Sequence, residues 1–159
     1  MLMGVMNQII GKQHEQEIEL ILFDIMGHHF GVDTTCILSM RAIENKDDNS
    51  DVVYFHEIIG LSDITVVYHS PKILVLGNGD VTFEIVIDEP YLMPLKVPLS
   101  DLCLLPKLID SFLRTKFDSL FWALLPSENS ISFIMDSRRL LEIAARDYLD
   151  LRINHEIEK

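Results

Sequence analysis

The sequence predicts a mainly β fold, a barrel or sandwich of short strands closed by one C-terminal helix, and three observations carry that prediction. Short runs rich in β-branched and aromatic residues recur between residues 17 and 135, each bounded by turn residues. Asn78-Gly79 separates two apolar runs, a strong short-range hairpin signal. Sustained helical spacing of apolar residues is evident only after Asp136. No helical stretch of about 10 to 15 residues is read between the strands, which argues against a βαβ protein.

Glu17 to Met26 reads as the first strand, with Ile18, Leu20 and Leu22 on one face and Ile21 and Phe23 on the other, so both faces are partly covered. Gly27 opens a turn holding His28 and His29, and Phe30 to Asp33 returns as the hairpin partner. Met40 to Ile43 is a further strand, followed by a polar, acidic loop over 45–51. Val52 to Ile59 is β-branched and aromatic and reads as a strand ending at Gly60-Leu61. Lys72 to Leu76 and Val81 to Ile87 flank the turn Gly77 to Asp80, where Asn and Gly both reach positive φ cheaply. Pro90, Pro94, Pro98 and Pro106 are hostile to long helices and central strands, leaving Leu92 to Val97 as a short edge strand and a helical turn from Ser100-Asp101. Ser119 to Leu125 and Ile131 to Met135 form another hairpin around 126–130. Asp136 is a good N-cap for a helix from Ser137 to about His155, whose inner face carries Leu140, Leu141, Ala144, Tyr148, Leu151 and Arg152.

The 159 residues suit one domain with a real core, and 48% hydrophobic against 24% charged residues argues against disorder. A net charge of -12, from 25 acidic and 13 basic residues, disfavours nucleic acid and anionic membrane as partners. It fits a cytoplasmic protein, or one that docks on a basic patch. The first residues lack a basic n-region, so no signal peptide is read, and no apolar run approaches the roughly 18 residues of a membrane span. Cys36 and Cys103, far apart and each in an apolar setting, are expected to be two buried free thiols.

Reactive constellations are absent from the sequence. The six histidines show no metal-ligand spacing, so no metal site is expected. There is no GxSxG nucleophile elbow, no basic residue beside Cys36 before Arg41, and no phosphate-binding glycine motif, Gly77-Asn78-Gly79 being too short. No cofactor is expected, and a strand-rich acidic domain of this kind reads as a non-catalytic interaction module. The lone tryptophan, Trp122, is expected in the core.

Several segments, in order, resemble the CheW-like adaptor domain family of bacterial chemotaxis. Leu22-Phe23 and then Phe30-Gly31-Val32-Asp33 match its opening strand pair, with Ile37 at the following apolar position and Met40-Arg41 at the ending. Val52-Val53 and Ile58-Ile59-Gly60-Leu61 are similar to its Pro-Val-Val-Asp-Leu strand and turn. Ile87-Asp88 matches a later strand end, and 133–142 resembles the final strand leading into the terminal helix. The chain departs from the family at Asn45-Lys46-Asp47-Asp48. The family carries Asn-Leu-Arg-Gly at that spacing, in a region that contacts receptor signalling tips, and its arginine position falls on Asp47.

The resemblance implies two intertwined five-stranded SH3-like barrels with a C-terminal helix. It spans 17–142, preceded by an N-terminal extension over 1–16 and overlapping a helix and tail over 137–159. It implies no catalysis. Its implied role is an adaptor coupling a chemotaxis histidine kinase regulatory domain to a chemoreceptor signalling tip. The candidate partner-binding residues are Ile37, flanked by Thr34 and Ser39, together with Arg41 and Asp47. By residue type alone Ile37 also suits a core position, and Arg41 a solvated strand end. A second reading is a small-molecule-binding or enzymatic β-barrel with a pocket between the barrels lined by Tyr54, His56 and Tyr91.

Overall fold

The computed structural model describes residues 15–44, 52–117 and 119–157, with the side chains of 147–156 outside the description. Among these residues the chain is mainly β, as expected, with ten strands in two sheets and a long C-terminal helix. β1 (Glu17–Ile25) and β2 (His28–Asp33) form a hairpin, so His28 and His29 belong to a strand rather than to the turn, which Met26 and Gly27 make with positive φ. The chain then builds the second sheet from β3 (Ile37–Ala42), β4 (Val53–Tyr54), β5 (Pro71–Gly77) and β6 (Thr82–Asp88), in the order β3-β5-β6-β4. It returns to the first sheet with β7 (Leu95–Pro98), β8 (Cys103–Leu104), β9 (Phe121–Pro126) and β10 (Ile131–Met135). The order there is β7-β1-β2-β10-β9-β8, with β2 and β10 parallel and Phe30 paired to Phe133. The first sheet is thus made of the two ends of the described chain, and the second of its middle.

Three expectations fail for identifiable reasons. Only Val53–Tyr54 of the expected 52–59 strand is extended; Phe55–Ile58 is a one-turn helix, α1. The Glu57 carboxylate accepts the Tyr54 N–H at 3.1 Å at its start. At its end Gly60, at φ 79°, donates to the Glu57 carbonyl and Leu61 to the His56 carbonyl, which closes the turn as a Schellman motif. The helix turns Phe55 fully into the core, edge-on to Phe23 and Phe30 with ring centres 5.0 Å away from each.

The second failure is a helix between strands, α2 (Lys107–Phe117). Pro106 stands before it as a helix start rather than a breaker, its carbonyl accepting the Asp110 N–H at 2.8 Å. The conclusion against a βαβ fold survives, because the strands that α2 separates, β8 and β9, are antiparallel. Third, Cys103 lies on the edge strand β8 and is exposed; only Cys36 is buried. A smaller difference concerns the 77–80 turn. Gly79 takes φ 101° but Asn78 does not take a positive φ; its side-chain oxygen instead accepts the N–H groups of Asp80 and Val81, both at 3.3 Å.

The main core joins both sheets and the helices. It contains Phe23 and Phe30 from the first sheet, Leu74 and Ile85 from the second, Phe55 from α1 and Leu140 from the terminal helix α3 (Ser137–Ile157). Asp136 caps α3 as expected, its Oδ1 accepting the Arg138 and Arg139 N–H groups at 2.8 and 3.3 Å. Leu140, Leu141 and Ala144 are buried as predicted. A second cluster of Leu20, Val97, Ala123 and Ile134 fills the other face of the first sheet, with half-buried Trp122 packed against it. Gly31 lets the second cluster close over β2: a Cβ there would lie 2.8 Å from Ile134 Cδ1 and 2.9 Å from Leu22 Cδ2.

Candidate functional site

The candidate contact residues follow the corner at the end of β2, and that corner is fixed from a distance. Asp33 Oδ2 accepts the Ser137 backbone N–H at 2.7 Å, and Oδ1 accepts the Ser137 hydroxyl at 2.8 Å and the Thr35 N–H at 3.0 Å. Ser137, itself buried, accepts the Cys36 N–H through its hydroxyl oxygen at 3.1 Å. Burial alone would raise the Asp33 carboxyl, but the Ser137 and Thr35 donors outweigh it and hold its pKa below the ordinary value. The start of α3 therefore locks the 34–36 turn, and with it the first residue of β3.

Thr34 is half-buried and tied to β1 by its N–H to the Glu19 carbonyl at 3.2 Å. β3 is an outer strand of the second sheet. A bulge interrupts its pairing with β5, Ile37 standing opposite Leu76 and Ser39 opposite Val75, so Leu38 is the additional residue. A bulge re-aims the side chains around it. Here Ile37 and Met40 both pack against the main core, while Leu38 is 61% exposed and Ser39 is exposed. Arg41 reaches across β5 to Glu84 on β6, its Nη2 donating to both carboxylate oxygens at 2.9 and 3.0 Å. Thr34, Ser39 and Arg41 thus follow one edge, with Ile37 beneath it; Asp47, with Asn45-Lys46-Asp48, lies outside the described residues. Leu38 was not singled out from the sequence, because strand alternation without a bulge gives no reason to separate it from Ile37.

Tyr54 and His56 come together, but with Tyr68 rather than Tyr91. Tyr68 lies edge-on to Tyr54 with ring centres 5.2 Å apart, and its hydroxyl is 2.9 Å from His56 Nδ1. Burial pushes the Tyr68 phenol well above its usual pKa, and the negative groups Asp88 and Glu57 act in the same direction, against the His56 backbone N–H. Tyr91 sits by β1, donating its N–H to the Leu22 carbonyl at 2.8 Å, and lines a different concavity. Asp88, 2% exposed, accepts the N–H groups of His69 and Ser70 at 3.0 and 2.7 Å and so holds the long connection before β5. Among the described residues, no three His, Cys, Asp or Glu side chains converge as metal ligands.

No protein-family model matches the chain, and no curated protein matches it. Among solved structures, the crystal structure of the scaffolding protein TtCheW from Thermoanaerobacter tengcongensis is similar, with a TM-score of 0.53 and 7% sequence identity over 76% of this chain and 89% of that one. At that identity the likeness is one of fold. The two sheets are the two SH3-like barrels of a CheW-like fold, wound through each other by the return of β7 to β10 and followed by the C-terminal helix. No helix among the described residues is long and apolar enough to cross a membrane.

Proposed function

We propose that this chain is a non-catalytic adaptor of bacterial chemotaxis, working in the cytoplasm and coupling the regulatory domain of a histidine kinase to a chemoreceptor signalling tip. The contact surface runs along the outer edge of β3, through Thr34, Ser39 and Arg41, with Ile37 supporting it from beneath and Asp47 following in sequence. The observation that carries the reading is the bulge at Leu38. It presents an apolar side chain and a hydroxyl on an outer strand whose first residue is locked in place by Asp33 and Ser137. An exposed apolar group on a rigid frame with a polar rim is the arrangement that protein contacts favour. The likeness to a scaffolding protein supports the reading at the level of fold. The unit responsible is 17–142, with 1–16 as an extension and 137–159 as a helix and tail.

The test is direct binding of the purified chain to an isolated chemotaxis-kinase regulatory domain and to a receptor signalling-tip fragment. Binding to at least one, weakened about tenfold or more by Leu38→Asp with folding intact, supports the assignment. Failure to bind either overturns it.

A further inference from the structure

The open end of the first barrel carries a half-buried polar layer above its apolar interior. Across β1, β2, β10 and β9, one row of paired residues reads Leu22, Gly31, Ile134 and Ala123, which belongs to the second core cluster or packs on it. The next row outward, on the same face, reads Asp24, His29, Ser132 and Leu125. Three of its four members are polar, and all four line one concavity of about 440 Å³. Lys96, Asp101 and Tyr91 also line it, with Leu22 and Val97 among its apolar residues. Space of this size at a barrel mouth, apolar below and polar above, is where small ligands bind.

The polar row is only partly satisfied from within. Asp24 Oδ1 lies 2.5 Å from His29 Nδ1, which fixes the imidazole against the strand. Among the described residues, Asp24 Oδ2 and the Ser132 hydroxyl make no hydrogen bond. With His29 holding only Oδ1 of Asp24, the second Asp24 oxygen, Asp101 and a chain of net charge -12 favour a cation. We propose that this barrel mouth binds a small organic molecule with a primary amine on an apolar body. The ammonium takes Asp24 Oδ2 and the Ser132 hydroxyl, and the body lies against Leu22, Val97 and Leu125. The site is at the end of one barrel, on the opposite face of the first sheet from the shared core, and is separate from the β3 edge.

Titration of the full chain with phenethylamine, followed in backbone amide NMR spectra, tests the proposal. Saturable shifts at Asp24, His29 and Ser132 are expected. 3-Phenylpropionate, with its charge reversed, and the uncharged phenethyl alcohol are expected to bind at least about tenfold more weakly. Asp24→Asn removes the anionic acceptor, and Ser132→Leu fills the mouth with an apolar side chain that extends the core layer; either variant should abolish the amine-specific shifts. The proposal is overturned if phenethylamine gives no saturable shift, if the acid or alcohol binds as tightly, or if binding persists in either variant. A lysine-containing peptide that shifts these amides where phenethylamine does not would also overturn it, assigning the mouth to a protein partner.

Discussion

Ser137 gives both of its donors to Asp33, the backbone N–H to Oδ2 at 2.7 Å and the hydroxyl to Oδ1 at 2.8 Å, across 104 residues of sequence. The end of an early strand is thereby joined to the first turn of the last helix. Because folding lowers the Asp33 pKa, its charged form contributes stability that is fully present above the ordinary carboxylate range and is lost as pH falls through the lowered value. Asp33→Asn keeps the shape but replaces one acceptor with an N–H group facing a donor. We expect a loss of about 1–3 kcal/mol at pH 7, shrinking at strongly acid pH, where the wild-type carboxylate is itself protonated. Urea unfolding of both proteins at the two pH values checks this; an equal difference at both would sink the electrostatic account.

Ile37 and Leu38 are adjacent, yet they should answer differently to the same change. Ile37→Asp places a charge against the core and should cost roughly 3 kcal/mol or more. Leu38→Asp changes an exposed side chain and should leave stability within about 1 kcal/mol while weakening partner binding. Thermal melts paired with the binding assay separate the two. Equal losses of stability would mean that the bulge does not divide them.

Gly31→Ala tests how closely the second cluster packs over β2. Its methyl group would meet the tips of Ile134 and Leu22 at under 3 Å; Leu22 is half-buried beside the concavity, but Ile134 is fully buried and has little room to shift. A destabilisation of about 1–3 kcal/mol is expected, read as a fall in melting temperature.

Phe55→Ala should be the most damaging of these substitutions, at about 3–5 kcal/mol, because the ring is fully buried between Phe23 and Phe30. A loss below about 1 kcal/mol would contradict the role of α1 as the element that seats this ring.

The strands were most legible where residue type, alternation and turn chemistry agreed. β5 and β6 around Asn78-Gly79, β1 with β2, and the Asp136 cap of α3 all fall within a few residues of their expected places. Residues 55–58 misled because a β-branched and aromatic run also suits a single helical turn once Glu57 and Gly60 close its two ends. Residues 107–117 are not legible as a helix because four nearby prolines argue against one, although Pro106 has no N–H to lose at a helix start and Leu113 and Phe117 share the spacing of a packed face. At the candidate surface, the segment was legible but its inside and outside were not. One additional residue in a ladder reverses alternation, and that residue cannot be located without the partner strand. The Asp24, His29 and Ser132 row was equally hidden, since it exists only across three strands.

The winding of the first sheet around the second has a consequence for synthesis. By the time Asp88 has left the ribosome, β3 to β6 can pair among themselves, whereas β2 still lacks β10, which supplies its parallel neighbour. At about 5–20 residues per second, that neighbour follows roughly two to ten seconds later. During that interval the nascent chain carries a nearly complete second barrel and a lone hairpin with Phe30 on it, open to any extended segment that can take the place of β10. The protein's most exposed moment comes before it is finished, at the edge of the strand that later anchors its corner.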